Sequence, residues 1–278
     1  MMTSKINKII FFVFIQLVAS IFQSNNLYAQ LKYERLFEFE TQSKNANICI
    51  DNLGNIYVYT EKAIVKYNSI GKLLYSYSVT NATKITKIDV LNPLRILVFF
   101  KDINQVVFLD NTLSETGINI NLNNIDLQLS TLVCNSSNKG IWVFDSQNIE
   151  ISHLSNTLET ISKTGNLAIL LQQEIQPTNM FEFNNQLYLI NRKSILVFDI
   201  FGTFIKEIPF ECSQCSITEN AIYNCEKRLS EYNIKTKQIE TDISMFETNL
   251  QETKRVTNGL LIYSINKTGT LIVTKMNR

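Results

Sequence analysis

The chain has 278 residues, of which 45% are hydrophobic and 18% are charged, and its formal net charge at pH 7 is +1. This much apolar material can form a packed core and excludes a disordered or collagen-like chain, and the single long apolar run excludes a multi-span membrane protein. The balanced charge lacks the clustered basic excess that neutralises phosphates, so we expect no nucleic-acid partner.

The first predicted element is a signal peptide in residues 1–29. Lys5 and Lys8 precede an apolar stretch over residues 9–22, and Ala29 supplies a small residue at a cleavage edge. The stretch is shorter than the about 20 residues of a bilayer span. We therefore expect a secreted or periplasmic protein with no membrane span after cleavage and one domain over residues 30–278. An uncleaved signal anchor is the alternative.

Short runs of β-branched and aromatic residues recur along the rest of the chain. Their central residues are spaced by 40, 45, 46, 35 and 38 positions: Tyr57, Leu97, Trp142, Tyr188, Tyr223 and Leu261. A period of about 41 residues is typical of four-stranded propeller blades. An apolar strand and a polar turn precede the first and third runs, and further strands follow, so the sequence predicts an all-β, six-bladed β-propeller of four-stranded antiparallel blades.

The last predicted unit has only three strands before the chain ends at Arg278. A blade with a missing strand exposes unpaired backbone, which invites aggregation. The segment from Tyr33 to Glu40 alternates in strand fashion ahead of the first complete blade. We predict that it supplies the missing outer strand and closes the ring.

Two stretches, residues 51–58 and 195–205, resemble blades of six-bladed propellers of the NHL and related bacterial type. The resemblance rests on strand spacing and turn residues over most of residues 31–278. It implies a ring around a central channel, with ligands or partners at one face, and it implies no single activity.

The turns between the second and third strands of each unit are polar and carry charges of both signs. Because these turns should emerge on one face of the ring, we expect them to form a rim that contacts a protein or a polar ligand at the channel mouth. The candidate residues of this face are Glu61, Lys62, Lys101, Asp102, Asp145, Arg192, Lys193, Glu226, Lys227 and Lys267. The simpler interpretation is that strand turns are polar because they are solvated.

Five cysteines are the most concrete chemical feature. An exported chain meets an oxidising compartment, where nearby cysteines form disulfides. With a turn over residues 219–221, Cys215 and Cys225 would lie opposite each other and pair; Cys212 with Cys225 and Cys212 with Cys215 are the alternatives. We interpret Cys49 and Cys134 as small buried residues of non-neighbouring blades. A redox role for Cys212 and Cys215 would need a helix to begin at Cys212, and no such onset is visible.

The sequence shows no recognisable set of catalytic residues. The single histidine, His153, lies in a third strand, where we expect an exposed side chain, and no cysteine–histidine set suggests a zinc site. We predict no metal, cofactor or catalytic residue, and an exported binding or scaffold propeller, monomeric unless it joins an assembly. The alternative is a propeller hydrolase or lyase acting on a carbohydrate or lactone with a carboxylate-held metal.

Overall fold

The fold is a six-bladed β-propeller. The structure is a computed structural model that describes residues 32–80, 82–138, 140–226, 229–242 and 254–277. In these ranges 24 strands form six antiparallel sheets of four. We label the strands of each blade A to D in their order within the sheet.

Each of the six predicted runs of β-branched and aromatic residues coincides with the B strand of a blade. Blade 1 has β2 (Asn47–Ile50), β3 (Ile56–Tyr59), β4 (Ala63–Tyr67) and β5 (Leu73–Ser78), and blade 2 has β6 (Lys87–Asp89), β7 (Ile96–Phe100), β8 (Gln105–Leu109) and β9 (Glu115–Asn121). Blade 3 has β10 (Ser130–Asn135), β11 (Ile141–Asp145), β12 (Glu150–Leu154) and β13 (Thr160–Lys163).

The second half of the ring follows the same plan. Blade 4 has β14 (Pro177–Phe183), β15 (Gln186–Asn191), β16 (Ser194–Phe198) and β17 (Phe204–Ile208), and blade 5 has β18 (Cys215–Ile217), β19 (Ala221–Asn224), β20 (Leu229–Asn233) and β21 (Ile239–Asp242). Blade 6 has β22 (Lys254–Thr257), β23 (Leu261–Ile265), β24 (Thr270–Asn277) and β1 (Lys32–Glu40). The short helix α1 (Leu167–Leu171) and the 3₁₀ turns Lys101–Ile103 and Leu122–Ile125 lie in connections.

The ring closes through its two chain ends, as predicted. Strand β1 pairs antiparallel with β24, from Lys32 opposite Asn277 to Glu40 opposite Thr270. Phe37 and Phe39 of β1 pack against the core between blades 6 and 1. The N-terminal strand therefore covers an edge that would otherwise be unpaired.

The core consists of six apolar clusters, each shared by two neighbouring blades. A strands of neighbouring blades contact each other, as β2 does with β22 and β10 with β14. The A strands therefore surround the central channel, and both faces of the inner strands are covered. The coverage of both faces explains why B strands such as β3 and β7 are continuous apolar runs instead of alternating ones.

Side chains of Asn and Asp shape three of the turns between C and D strands. In three C–D turns, Asn68, Asp110 and Asp199 accept hydrogen bonds from the backbone N–H groups two and four residues later. The residue at the fourth turn position has positive φ in all three turns, and it is Gly71 in blade 1, Leu113 in blade 2 and Gly202 in blade 4. A local side-chain acceptor lets the turn form with few glycines.

Candidate functional site: the central channel

The predicted charged rim lies on one face of the ring. Because strand direction alternates, all B–C turns emerge beside the starts of the A strands, and we call this end the B–C face. The predicted residues exposed there are Glu61, Lys62, Lys101, Asp102, Arg192, Lys193, Glu226 and Lys267. Lys227 lies outside the described residues.

Several rim side chains hold their own connections in place. Glu61 pairs with Lys84 at 3.0 Å, and the Lys62 ammonium donates to the carbonyl oxygen of Thr83 at 2.7 Å. The Glu226 carboxylate accepts from the backbone N–H groups of Ser213 at 2.7 Å and Gln214 at 2.9 Å. These contacts tie a B–C turn to the connection that leads into an A strand.

Asp145 differs from the expectation for a contact residue. Its side chain is 2% exposed, and its carboxylate accepts from the backbone N–H of Gln147 at 2.9 Å and the side-chain amide of Asn148 at 2.6 Å. Asp145 is the last residue of β11, so its carboxylate folds back over the turn that follows. It shapes the turn and is not available to a partner.

A cavity of about 240 Å³ lies in the channel at the opposite end, where the A strands finish and the A–B turns begin. We call this end the A–B face. Blades 4, 5 and 6 supply an apolar wall through Phe181, Phe183, Ile217 and Val256. Blades 1 and 2 supply polar and thiol groups from Cys49, Asp51, Lys87 and Asp89.

The two aspartates of the cavity are fixed by turn hydrogen bonds. Both oxygens of Asp51 accept, from the backbone N–H groups of Leu53 and Asn55, the Asn55 amide and the Tyr57 hydroxyl, at 2.8 to 3.0 Å. Asp89 accepts from the backbone N–H of Leu91 at 3.1 Å and of Asn135 at 2.8 Å. These carboxylates are structural parts of the A–B turns.

Lys87 is the residue of the cavity that sequence reasoning missed. It begins β6, and its ammonium reaches from blade 2 to blade 4, where it donates to Asn179 Oδ1 and to the carbonyl oxygen of Met180, both at 2.5 Å. Burial lowers the pKa of Lys87 because it disfavours the charged form. A lysine at the start of a short innermost strand was the available signal.

The rim of the cavity is apolar, unlike the opposite face. The A–B turns expose Leu53 (70%), Leu94 (71%) and Leu260 (67%) on three consecutive blades, 1, 2 and 6. Among the described residues of the A–B turns, Glu219 is the single charged residue with an exposed side chain. The B–C turns therefore carry exposed charges, whereas the described A–B turns around the cavity expose mainly leucine and amide side chains.

His153 is buried, so the prediction of an exposed histidine was wrong. Its ring stacks on Trp142 with centroids 3.9 Å apart, and its Nε2 lies 2.8 Å from Ser136 Oγ. Glu182 of blade 4 accepts from the Trp142 indole at 2.5 Å and from the backbone N–H of Ser137 at 3.0 Å. This cluster joins blades 3 and 4, and burial lowers the pKa of His153.

The disulfide joins Cys212 to Cys215, with Cα atoms 6.1 Å apart, and the favoured pairing of Cys215 with Cys225 is wrong. The register explains why, since Cys215 lies opposite Asn224. A shift of one residue turns a side chain to the other face of the sheet. Cys215 accordingly packs between blades 4 and 5, and Cys225 packs between blades 5 and 6.

The other two cysteines have different surroundings. Cys134 is buried as expected, whereas Cys49 is half-buried and lines the channel cavity. Burial raises the pKa of both thiols, and the nearby Asp89 carboxylate adds to this effect.

We expect alkylation of the unfolded, unreduced protein to label Cys49, Cys134 and Cys225 and to leave Cys212 and Cys215 in one disulfide-linked peptide. Burial raises the pKa of Cys225 to about 12, so about one thiol in ten thousand is ionised at pH 8, and the native protein should resist iodoacetamide there. Peptide mass mapping before and after unfolding measures both. A linked peptide that contains Cys225 would contradict the assignment, and Cys225→Ala should keep the disulfide.

Within the described ranges, no group of three or more His, Cys, Asp or Glu side chains could hold a metal ion. None of the described helices has the length and apolar composition needed to cross a bilayer.

Comparison with solved structures identifies other propellers. A catalytically inactive virginiamycin B lyase from Staphylococcus aureus, solved with quinupristin, is 10% identical with a TM-score of 0.59, covering 89% of this chain and all of that one. A streptogramin B lyase is 11% identical with a TM-score of 0.61, covering 91% and 100%. The Pan2 WD40 domain of Neurospora crassa is 11% identical with a TM-score of 0.55, covering 88% and 96%. No family model and no curated protein sequence matches the chain. At these identities the comparisons show the propeller fold.

Proposed function

We propose that this chain is an exported binding propeller, secreted or periplasmic, that holds a ligand or a protein segment in the channel cavity at its A–B face. The observation that carries the proposal is the cavity itself, in which five blades combine an apolar wall with the Lys87 ammonium and two carboxylates held by turn hydrogen bonds. Concave sites with mostly apolar walls and a few placed polar groups are typical of ligand binding. Export rests on the basic and apolar pattern of residues 1–29.

The leucines around the cavity support a partner that extends beyond it. Leu53, Leu94 and Leu260 are largely exposed, and exposed apolar side chains grouped on one face mark interaction surfaces. The charged residues of the B–C face supply a second surface, which we propose contacts a charged partner within an envelope or extracellular assembly.

Filling the cavity tests the proposal. Val256 lines the cavity, so Val256→Phe should occupy part of its volume. With the neutral probe 3-phenylpropanamide, followed by ligand-observed NMR, we expect a millimolar Kd for the wild type and at least tenfold weaker binding for Val256→Phe. A millimolar Kd corresponds to about 4 kcal/mol of binding free energy, a reasonable value for a small fragment.

Ile205→Phe is the matched control. Ile205 is 44% exposed on the outer strand β17, far from the channel, so this variant should bind like the wild type. Equal binding by all three proteins, or no binding by the wild type, would contradict the proposed site.

A further inference from the structure

The Lys87 ammonium has hydrogen-bonding capacity that its neighbours do not use. An ammonium carries three donors, and the two acceptors it meets, the Asn179 side-chain oxygen and the Met180 carbonyl oxygen, are both neutral. Among the ion pairs of the described residues, none includes Lys87. The structure thus holds a partly desolvated positive charge whose hydrogen-bond acceptors are neutral, and the nearby Asp89 carboxylate favours the charged form of Lys87 through space.

The carboxylates that share the cavity are committed elsewhere. Asp51 accepts four hydrogen bonds from its own blade, and Asp89 accepts two backbone N–H groups, one of them from Asn135 in blade 3. Moving either carboxylate onto the ammonium would leave backbone donors of an A–B turn unpaired, which is costly in a buried site. Lys87 is therefore the charged group of the cavity that can donate to a ligand without breaking hydrogen bonds of a turn.

We propose that the cavity binds an apolar group that carries a carboxylate, with the carboxylate on the Lys87 ammonium and the apolar body against Phe181, Phe183, Ile217 and Val256. This inference rests on the proposed function, since it names the chemistry of the ligand for the same cavity. A charge-assisted hydrogen bond from an ammonium to a carboxylate is stronger than one between neutral groups. The cavity of about 240 Å³ has room for one aromatic or branched aliphatic group with a short acid arm.

The test compares 3-phenylpropionate with its neutral amide, 3-phenylpropanamide, at pH 7. We expect the acid to bind the wild type at least tenfold more tightly than the amide. Lys87→Met replaces the ammonium side chain with a neutral unbranched one that is one atom shorter, and it should bring the ratio of the two Kd values to about one. Thermal melting and circular dichroism confirm that the variant is folded.

Lys254→Met is the matched control. Lys254 is also a lysine of an A strand, and its ammonium bonds the Asn47 side-chain oxygen at 2.5 Å, but it does not line the cavity. This variant should keep the tenfold preference for the acid.

Three results would overturn the inference in distinguishable ways. Amide binding without a preference for the acid, or a preference that survives Lys87→Met, overturns the carboxylate assignment and leaves the cavity as a binding site. No binding of either compound to the wild type overturns the proposed function together with the inference.

The carboxylate could belong to a small acid or to the C-terminus of a protein, and a second pair of probes distinguishes these two ligands. An acetylated peptide of two alanines and a C-terminal phenylalanine is compared with the same peptide amidated at its C-terminus. Binding of the acid peptide more tightly than 3-phenylpropionate supports a protein C-terminus that also contacts the leucine rim. Weaker binding of this peptide supports a small carboxylic acid.

Discussion

Deletion of Lys32–Glu40 is expected to prevent the chain from forming a stable soluble monomer. The deletion removes the outer strand of blade 6 and exposes the backbone edge of β24 along its length, from Thr270 to Asn277. It also removes Phe37 and Phe39 from the core between blades 6 and 1. We expect a loss of about 5 kcal/mol or more, comparable with the total stability of many domains, and association through the open edge. Size-exclusion chromatography and thermal melting measure both effects.

Two point variants in β1 distinguish the loss of a packed side chain from the effect of any substitution in this strand. The Phe39 ring packs 5.0 Å from the Tyr67 ring, whereas Leu36 is 44% exposed. Phe39→Ala should lower the free energy of unfolding by about 3 kcal/mol, and Leu36→Ala by less than about 0.5 kcal/mol. A deletion variant that remains monomeric with an unchanged Tm would refute ring closure by β1.

Gly140→Ala is expected to be the most damaging single methyl addition in a turn. Gly140 precedes β11, and a Cβ there would overlap the backbone carbonyl oxygen of Leu154. The clashing atom belongs to the backbone of β12, where Leu154 lies opposite Ile141 of β11. A side-chain rotation therefore cannot remove the clash. We expect a loss of about 3 kcal/mol, or a decrease in Tm of roughly 6 to 12 °C for a domain of this size.

Gly117→Ala supplies the matched comparison because its cost is conformational. Gly117 has φ +80°, but a Cβ there would meet no atom within 4 Å. Alanine in this backbone region should cost about 1 kcal/mol. Chemical denaturation of both variants gives the comparison, and similar losses would show that the close approach to Leu154 has no particular importance.

The strand plan could be predicted because it depends on local patterns. Each blade repeats an apolar strand and a polar turn, and the period alone indicates six units. The predicted run centres Tyr57 and Trp142, for example, lie in the B strands β3 and β11. Closure by β1 could also be predicted, since a three-stranded last unit needs a partner.

Register and burial required the three-dimensional structure. A turn displaced by one residue moved Cys225 to the opposite face of blade 5 from Cys215 and changed the disulfide. His153 was expected in solvent because it lies in a third strand, away from the channel, yet neighbouring blades cover both faces of that strand. Distance from the channel therefore predicts exposure poorly in this fold.

The end of the channel at which we propose binding could not be predicted from the sequence. Charged B–C turns are conspicuous in the sequence, whereas the cavity at the A–B face is formed by residues far apart along the chain. Lys87 and Phe181, for instance, belong to blades 2 and 4. Only the closed ring shows that their side chains line one cavity.

A crystal structure of the protein soaked with 3-phenylpropionate tests the central claim most directly. We predict ligand density in the channel at the A–B face, with the carboxylate within hydrogen-bond distance of Lys87 Nζ and the ring against Phe181 and Phe183. Density confined to the charged B–C face, or an empty channel at a ligand concentration that saturates binding in solution, would contradict the assignment of this cavity as the binding site.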